Sequence, residues 1–125
     1  MSVDFDQPDL ARAMEKLSPE QIDALPFGVI RVDPDGRVAL LSRAEAELSG
    51  FGKRPAIGKI FFSDIAPCMG VDEFQGRIQR ARAHGHLDLA FGWVGDFSDR
   101  NRQLKVRVQS ASDGGIWVFI NRETN

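Results

Sequence analysis

The chain has one cysteine, Cys68, and it closes the stretch Gly58-Lys59-Ile60-Phe61-Phe62-Ser63-Asp64-Ile65-Ala66-Pro67-Cys68. Phe61, Phe62 and Ile65 fall at near-helical spacing. Pro67 fixes φ and lacks a donor N–H, so the spacing predicts a short helical turn that stops there and presents Cys68 from a constrained loop. A thiol held in this way has a defined direction and is a candidate for covalent attachment. The same residue type also serves as a small buried hydrophobe, and the local pattern leaves both readings open.

The second candidate is Glu45, in Ser42-Arg43-Ala44-Glu45. It stands at N3 after a serine N-cap, where its carboxylate can bond back to the cap's own N–H in a capping box. Other chemistry-bearing groups are weaker. Asp33-x-Asp35-Gly36 partly matches a calcium loop, but the distal glutamate is missing and turn chemistry explains it. His84-Gly85-His86 lacks cysteine or carboxylate ligands at zinc-like spacing, and histidines are favoured near a helix C-terminus. There is no Ser-His-Asp set, no phosphate-binding glycine loop and no kinase or DNA-binding segment, so the expected class is not an enzyme.

Composition bounds the partners. The chain has 125 residues, 42% hydrophobic and 27% charged, enough for one core and too few for two. A net charge of −2 gives no electrostatic case for nucleic acid or an anionic membrane. The lone cysteine excludes an internal disulfide and favours a reducing compartment, and the sequence shows neither a leader-like start nor a membrane-length apolar run, so a cytoplasmic location is expected.

The elements that must position Cys68 and Glu45 follow from periodicity. Leu10, Met14 and Leu17 stand at i, i+4 and i+7, a short amphipathic helix. Ser18-Pro19-Glu20-Gln21 starts a second, with N-cap serine, proline at the first helical position and glutamine at N3. Residues 1–26 are thus expected to form a helical cap on residues 27–125, the core. Phe27 to Asp33 and Arg37 to Leu41 make a hairpin about Pro34-Asp35-Gly36. A helix from Ser42 ends near Gly50. Another starts at Asp72, with Phe74, Ile78 and Ala81 on its buried stripe and Arg77, Arg80 and Arg82 on its solvated side. Leu87, Leu89, Phe91 and Trp93 alternate, as do Leu104, Val106 and Val108 against Gln103, Lys105, Arg107 and Gln109, so that one face is core and the other polar. Asp113-Gly114 is a tight-hairpin signal, and Ile116 to Ile120 reads as a central strand buried on both faces.

Five segments together carry a resemblance: the Gly58–Cys68 stretch, Leu25-Pro26-Phe27-Gly28-Val29-Ile30, Ala44-Glu45-Ala46-Glu47, Glu73-Phe74-Gln75-Gly76 and Trp117-Val118-Phe119-Ile120. In order and approximate spacing the chain resembles the photoactive yellow protein family, a branch of the PAS sensory domains. The resemblance implies an α+β PAS fold, a five-stranded antiparallel sheet with helices on one face and the N-terminal helical cap on the other. It further implies a blue-light photoreceptor in which Cys68 carries p-coumaric acid as a thioester and Glu45 hydrogen-bonds its phenol and later gives up the proton. In that family the N-terminal segment loosens during signalling. The partner would be a signalling protein of unknown identity, and the protein a monomer or weak dimer.

The chain also departs from the family. Leu41 stands where the family has a tyrosine that donates to the phenolate, Phe51 where it has the arginine that gates the pocket, and Phe97 where it has a later pocket tyrosine. Ser49 stands at a threonine that supports the network and keeps a hydroxyl. Phe61 and Pro67 complete the expected lining. A buried phenolate with one donor instead of two is poorly stabilised. A second reading is therefore a non-photochemical PAS module for protein contacts or a reversibly bound apolar ligand. A haem sensor ligated by Cys68 is a remote third.

Overall fold

Two short helices open the chain in the computed structural model, which describes residues 3–49, 57–61, 76–83, 88–94 and 103–122. α1 spans Leu10–Glu15 and α2 spans Pro19–Asp23. α2 begins as the sequence requires. The Ser18 hydroxyl accepts from the Gln21 N–H at 3.2 Å, and the Gln21 side chain accepts from the Ser18 N–H at 2.8 Å, with Pro19 supplying a preset φ.

The strands are β1 (Gly28–Val32), β2 (Val38–Leu41), β3 (Asp88–Val94), β4 (Gln103–Ser110) and β5 (Ile116–Arg122), in the order β2-β1-β5-β4-β3, with every neighbouring pair antiparallel. The β1–β2 turn is closed by Asp33, whose carboxylate accepts from the N–H groups of Asp35 and Arg37, both at 2.9 Å, while Gly36 takes a φ of 87°. That carboxylate thus serves its own turn. Among the described residues no cluster of acidic, histidine or cysteine side chains could hold a metal, and no helix is long and apolar enough to cross a membrane.

Period-two alternation divides the apolar residues between the two faces. Ile116, Val118 and Ile120 of β5 join Ile30, Val32, Val38, Phe61, Leu104, Val106 and Val108 in one cluster. The helix α4 (Arg77–Ala83) adds Ile78 to it, and α3 (Arg43–Ser49) packs on β1. Trp117 and Phe119 point the other way, into a cluster with Phe5, Leu10, Ala11, Met14, Ile22, Phe27 and Val29. The central strand is therefore buried on both faces, by helices on one side and by the N-terminal helices on the other. The expected N-cap Asp72, Phe74, the pair His84 and His86, and the break between Gly95 and Arg100 lie outside the described residues.

The polar side of β4 is only partly solvated. Gln103 and Lys105 are exposed, but Arg107 is mostly covered and Gln109 is only 6% exposed. They hold the N-terminal segment. Nη1 of Arg107 donates to the Phe5 carbonyl at 2.6 Å and the Gln7 carbonyl at 2.7 Å, and Nη2 donates to the Pro8 carbonyl at 3.2 Å. Gln109 donates to Pro8 O at 2.9 Å and to Asp88 Oδ1 at 3.2 Å. Its Oε1 accepts the Ala11 N–H at 2.7 Å, a surrogate cap for α1, because Asp9 at the N-cap makes no side-chain capping bond. Arg107→Met keeps the aliphatic stem and removes the donors to three carbonyls. It is expected to cost about 2–3 kcal/mol, since a hydrogen bond from a charged donor contributes about 1.5–3 kcal/mol. The loss should appear in the urea midpoint and as faster proteolysis within residues 3–17, and an unchanged midpoint would show that the clamp carries no net stability.

A second tie joins α1 to the β4–β5 hairpin. The Glu15 carboxylate accepts from the Ser112 N–H at 2.9 Å, the Ser112 hydroxyl at 2.7 Å and Trp117 Nε1 at 3.2 Å, and pairs with Arg12 at 3.2 Å. Arg12 also donates to Ser112 Oγ and to the Ser110 carbonyl. Burial pushes the Glu15 carboxyl up, but the Ser112 and Trp117 bonds and the Arg12 charge outweigh it and hold the group below its ordinary value of 4.5. A depressed folded-state value means that the tie stabilises fully above about pH 4.5 and is lost as pH falls through the folded value. Trp117 fluorescence is expected to report the helix loosening in that acid range. Glu15→Gln should flatten this limb of the titration, and an unaltered limb would place the acid sensitivity elsewhere.

Candidate functional site

The start of α3 is built from Ser42, which is fully buried. Its hydroxyl accepts from the Val29 N–H at 3.0 Å and the Glu45 N–H at 3.2 Å, and its own N–H donates to the Val29 carbonyl at 2.9 Å. One residue thus caps the helix and extends the pairing of β1. Asp23, at the end of α2, accepts the Arg43 N–H at 2.9 Å and fixes the same turn from the other side. The Ser42 hydroxyl thus supplies the capping bond to Glu45 N–H, and the Ser42 N–H is bonded to Val29.

Glu45 follows in the first turn of α3, only 6% exposed. Leu41 is the last residue of β2, opposite Ile30, and is partly buried against the apolar cluster on the helix side of the sheet. Phe61 belongs to that same cluster at 1% exposure. It is brought there by residues 58–61 running along the outer edge of β2: Val38 N–H to Lys59 O at 2.8 Å, Gly58 N–H to Val38 O at 2.8 Å and Phe61 N–H to Gly36 O at 2.9 Å. Gly58 makes the bend with a φ of 85°, and Arg37 donates to its carbonyl at 2.8 Å. The beginning of the Cys68 segment is thereby delivered to the helix side of the sheet.

Of the eight site residues named from the sequence, the structure places Leu41 and Phe61 in one apolar cluster and Glu45 on the helix that starts two residues after Leu41. Ser49 closes α3, with its side chain outside the described part, and Phe51, Pro67, Cys68 and Phe97 lie outside the described residues. A buried carboxyl can hydrogen-bond the polar tip of a largely apolar ligand, while Leu41 supplies only methyl groups. Sequence reasoning read Ser42 as a helix cap alone. Its second role across to Val29 has no signature in a single sequence.

The fold and the sequence are shared with known proteins. The PAS fold family matches residues 18–122. A photoactive yellow protein of Rhodothalassium salexigens is 38% identical over 121 residues, 96% of this chain and 97% of that protein, and one of Halochromatium salexigens is 34% identical over the same span. Among solved structures, the photoactive yellow protein domain of the sensor histidine kinase Ppr from Rhodospirillum centenum superposes with a TM-score of 0.75 at 31% identity, covering 87% of this chain and 96% of that domain. A PAS domain from Colwellia psychrerythraea, 13% identical with a TM-score of 0.62 over 84% of this chain and 92% of that one, shares the fold alone. A five-stranded sheet in the order β2-β1-β5-β4-β3, the PAS fold match over residues 18–122 and 38% identity over 96% of the chain make this chain a sensory PAS protein of the photoactive yellow protein family.

Proposed function

We propose that the protein is a cytoplasmic blue-light photoreceptor in which Cys68 carries p-coumaric acid as a thioester. The observation that supports this most is the burial of Glu45, a carboxyl only 6% exposed in the first turn of α3. The bound group supplies absorption of blue light and isomerisation of its double bond. The chain's residues do the rest. Glu45 hydrogen-bonds the phenol end, Ser49 supports that bond, and Leu41, Phe51, Phe61, Pro67 and Phe97 exclude water from the ring. Output passes to a signalling protein. The lone cysteine suits a reducing compartment.

Leu41 favours a second reading. With an aliphatic residue at that position and no tyrosine anywhere in the chain, the same fold could serve as a non-photochemical module for protein contacts or a reversibly bound apolar ligand. Intact mass and absorbance of protein coexpressed with a coumaroyl supply separate the two. The photoreceptor reading expects the coumaroyl mass on wild type, its loss in Cys68→Ala, and a light-reversible visible band. Apo mass only, with Cys68 still open to thiol reagents, would reject it in favour of the module.

A further inference from the structure

The N-terminal helices do not cover the outer sheet face completely. Beside them Leu40 of β2, Arg31 of β1 and Trp117 of β5 stand in one cross-strand row, Leu40 opposite Arg31 and Arg31 opposite Trp117. This row floors a cleft of about 510 Å³, walled by Leu17, Pro19 and Ile22 where α1 passes into α2 and by Ser112 and Asp113 of the β4–β5 hairpin. That volume is in the range of small-molecule sites. Leu17 and Leu40 are only half-buried, so the cleft offers apolar surface that the fold itself leaves partly in water.

Arg31 is the polar group of the floor. Its guanidinium lies over the Trp117 ring at 5.4 Å, and Nη2 donates to Asp113 at 2.7 Å. Nη1 and the buried Nε donate to no group among the described residues. Stacking and the ion pair thus hold a planar donor in place with part of its capacity unused. Charge decides what it takes. Asp113 balances Arg31, Arg12 balances Glu15 at the cleft wall, and no other charged side chain lines the space. An added anion would face Asp113 and Glu15 as well as Arg31, and an added cation would face Arg31, whereas an uncharged acceptor meets the donor alone. We propose that this cleft binds a small uncharged molecule, largely apolar, with a carbonyl-type acceptor at one end. The acceptor takes the free Arg31 donors, and the body lies between Leu40 and the Leu17–Ile22 turn. Leu40 belongs to the outer face and Leu41 to the helix face, so the site is separate from that of the chromophore reading and stands without it. The helices stay packed in the complex, and the ligand adds to the stability of the folded chain by mass action.

The test titrates the full chain with two dyes, uncharged Nile red, which carries a ring carbonyl, and the anionic 1-anilinonaphthalene-8-sulfonate. Nile red is expected to bind wild type one to one and to raise Tm, and the sulfonate to bind at least about tenfold more weakly. Leu40→Trp fills the cleft and should abolish Nile red binding, whereas Leu41→Trp, on the other face, should leave it unchanged. Arg31→Lys keeps the charge but loses the planar fork, and should weaken Nile red about tenfold. If Leu40→Trp does not fold, ¹⁵N spectra of wild type decide: Nile red should shift the Trp117 indole and Arg31 Nε–H signals and leave the Trp93 indole in place. No Nile red binding by folded wild type, sulfonate binding as tight as that of Nile red, or an unmoved Trp117 indole would overturn the proposal. So would binding that survives Leu40→Trp and is lost in Leu41→Trp, which would put the dye on the helix side of the sheet.

Discussion

Gly115→Ala is expected to destabilise the protein by about 3 kcal/mol, a drop in Tm on the order of 10 °C for a chain of this size. The cause is steric and sits in the backbone. A Cβ at this position would stand 2.1 Å from the Val32 carbonyl oxygen and 3.0 Å from the Asp33 carbonyl carbon, where the β1–β5 pairing ends at Val32 opposite Ile116. Neither atom can rotate away as a side chain would. The Gly115 carbonyl also accepts from Ala111 at 2.9 Å and its N–H donates to Asp113 Oδ1 at 2.9 Å, so moving this residue loosens the turn as well. The neighbouring Gly114 is the control. It has a φ of 94° but only an ordinary 3.8 Å contact with Pro34, so Gly114→Ala should cost about 1 kcal/mol. Thermal melts of the two variants decide the matter, and a Gly115→Ala loss no larger than that of Gly114→Ala would show that the strands can part at this point without penalty.

If Cys68 carries the coumaroyl group, Leu41→Tyr is expected to favour the ionised phenol about 10- to 100-fold. A hydrogen bond to a charged acceptor contributes about 1.5–3 kcal/mol, and at Leu41 the wild type offers none. Leu41 stands at the end of β2 against the cluster that holds Phe61, so a hydroxyl there reaches an otherwise apolar wall. Wild type should accordingly hold part of its chromophore as the neutral phenol and absorb further to the blue than the anionic form, and Phe51 in place of a cation acts in the same direction. A pH titration of the visible spectrum for both proteins gives the answer. A wild-type chromophore fully ionised well below neutral pH, with no change in the variant, would mean that another group stabilises the anion.

The parts of the fold that were legible are those written in local chemistry. The Ser18 capping box, the Asp33–Gly36 turn and the two-sided burial of Ile116 to Ile120 all follow from residues within a few positions of one another. Arg107 and Gln109 were legible as polar-face residues, because alternation marks which residues leave the apolar face. It does not say whether water or a main-chain carbonyl awaits them. The signal was a cationic residue in the middle of β4, a strand with neighbours on both sides, where a charge needs partners. For the site, Glu45 was legible as a cap residue from spacing. Its burial was not, because it depends on α3 packing on β1 through Ser42 and Val29. The expectation that Leu41 belongs to the same site came from likeness to a family and from no periodicity in this chain.

The order β2-β1-β5-β4-β3 has a consequence for how the chain acquires its structure. The centre of the sheet is the pairing of Gly28 with Ile120 and Val32 with Ile116, the first strand with the last. The β1–β2 hairpin is local and can form early, but the pairing that buries it on both faces needs a loop of some 80 to 90 residues to close, an entropy cost that must be met before that pairing gives anything back. During synthesis the first hairpin and the N-terminal helices therefore wait, with Val29, Phe27 and Leu10 uncovered, until β5 has left the ribosome. Such non-local pairing places the domain among the slower folders of its size and makes the nascent chain, more than the finished protein, the stage exposed to aggregation.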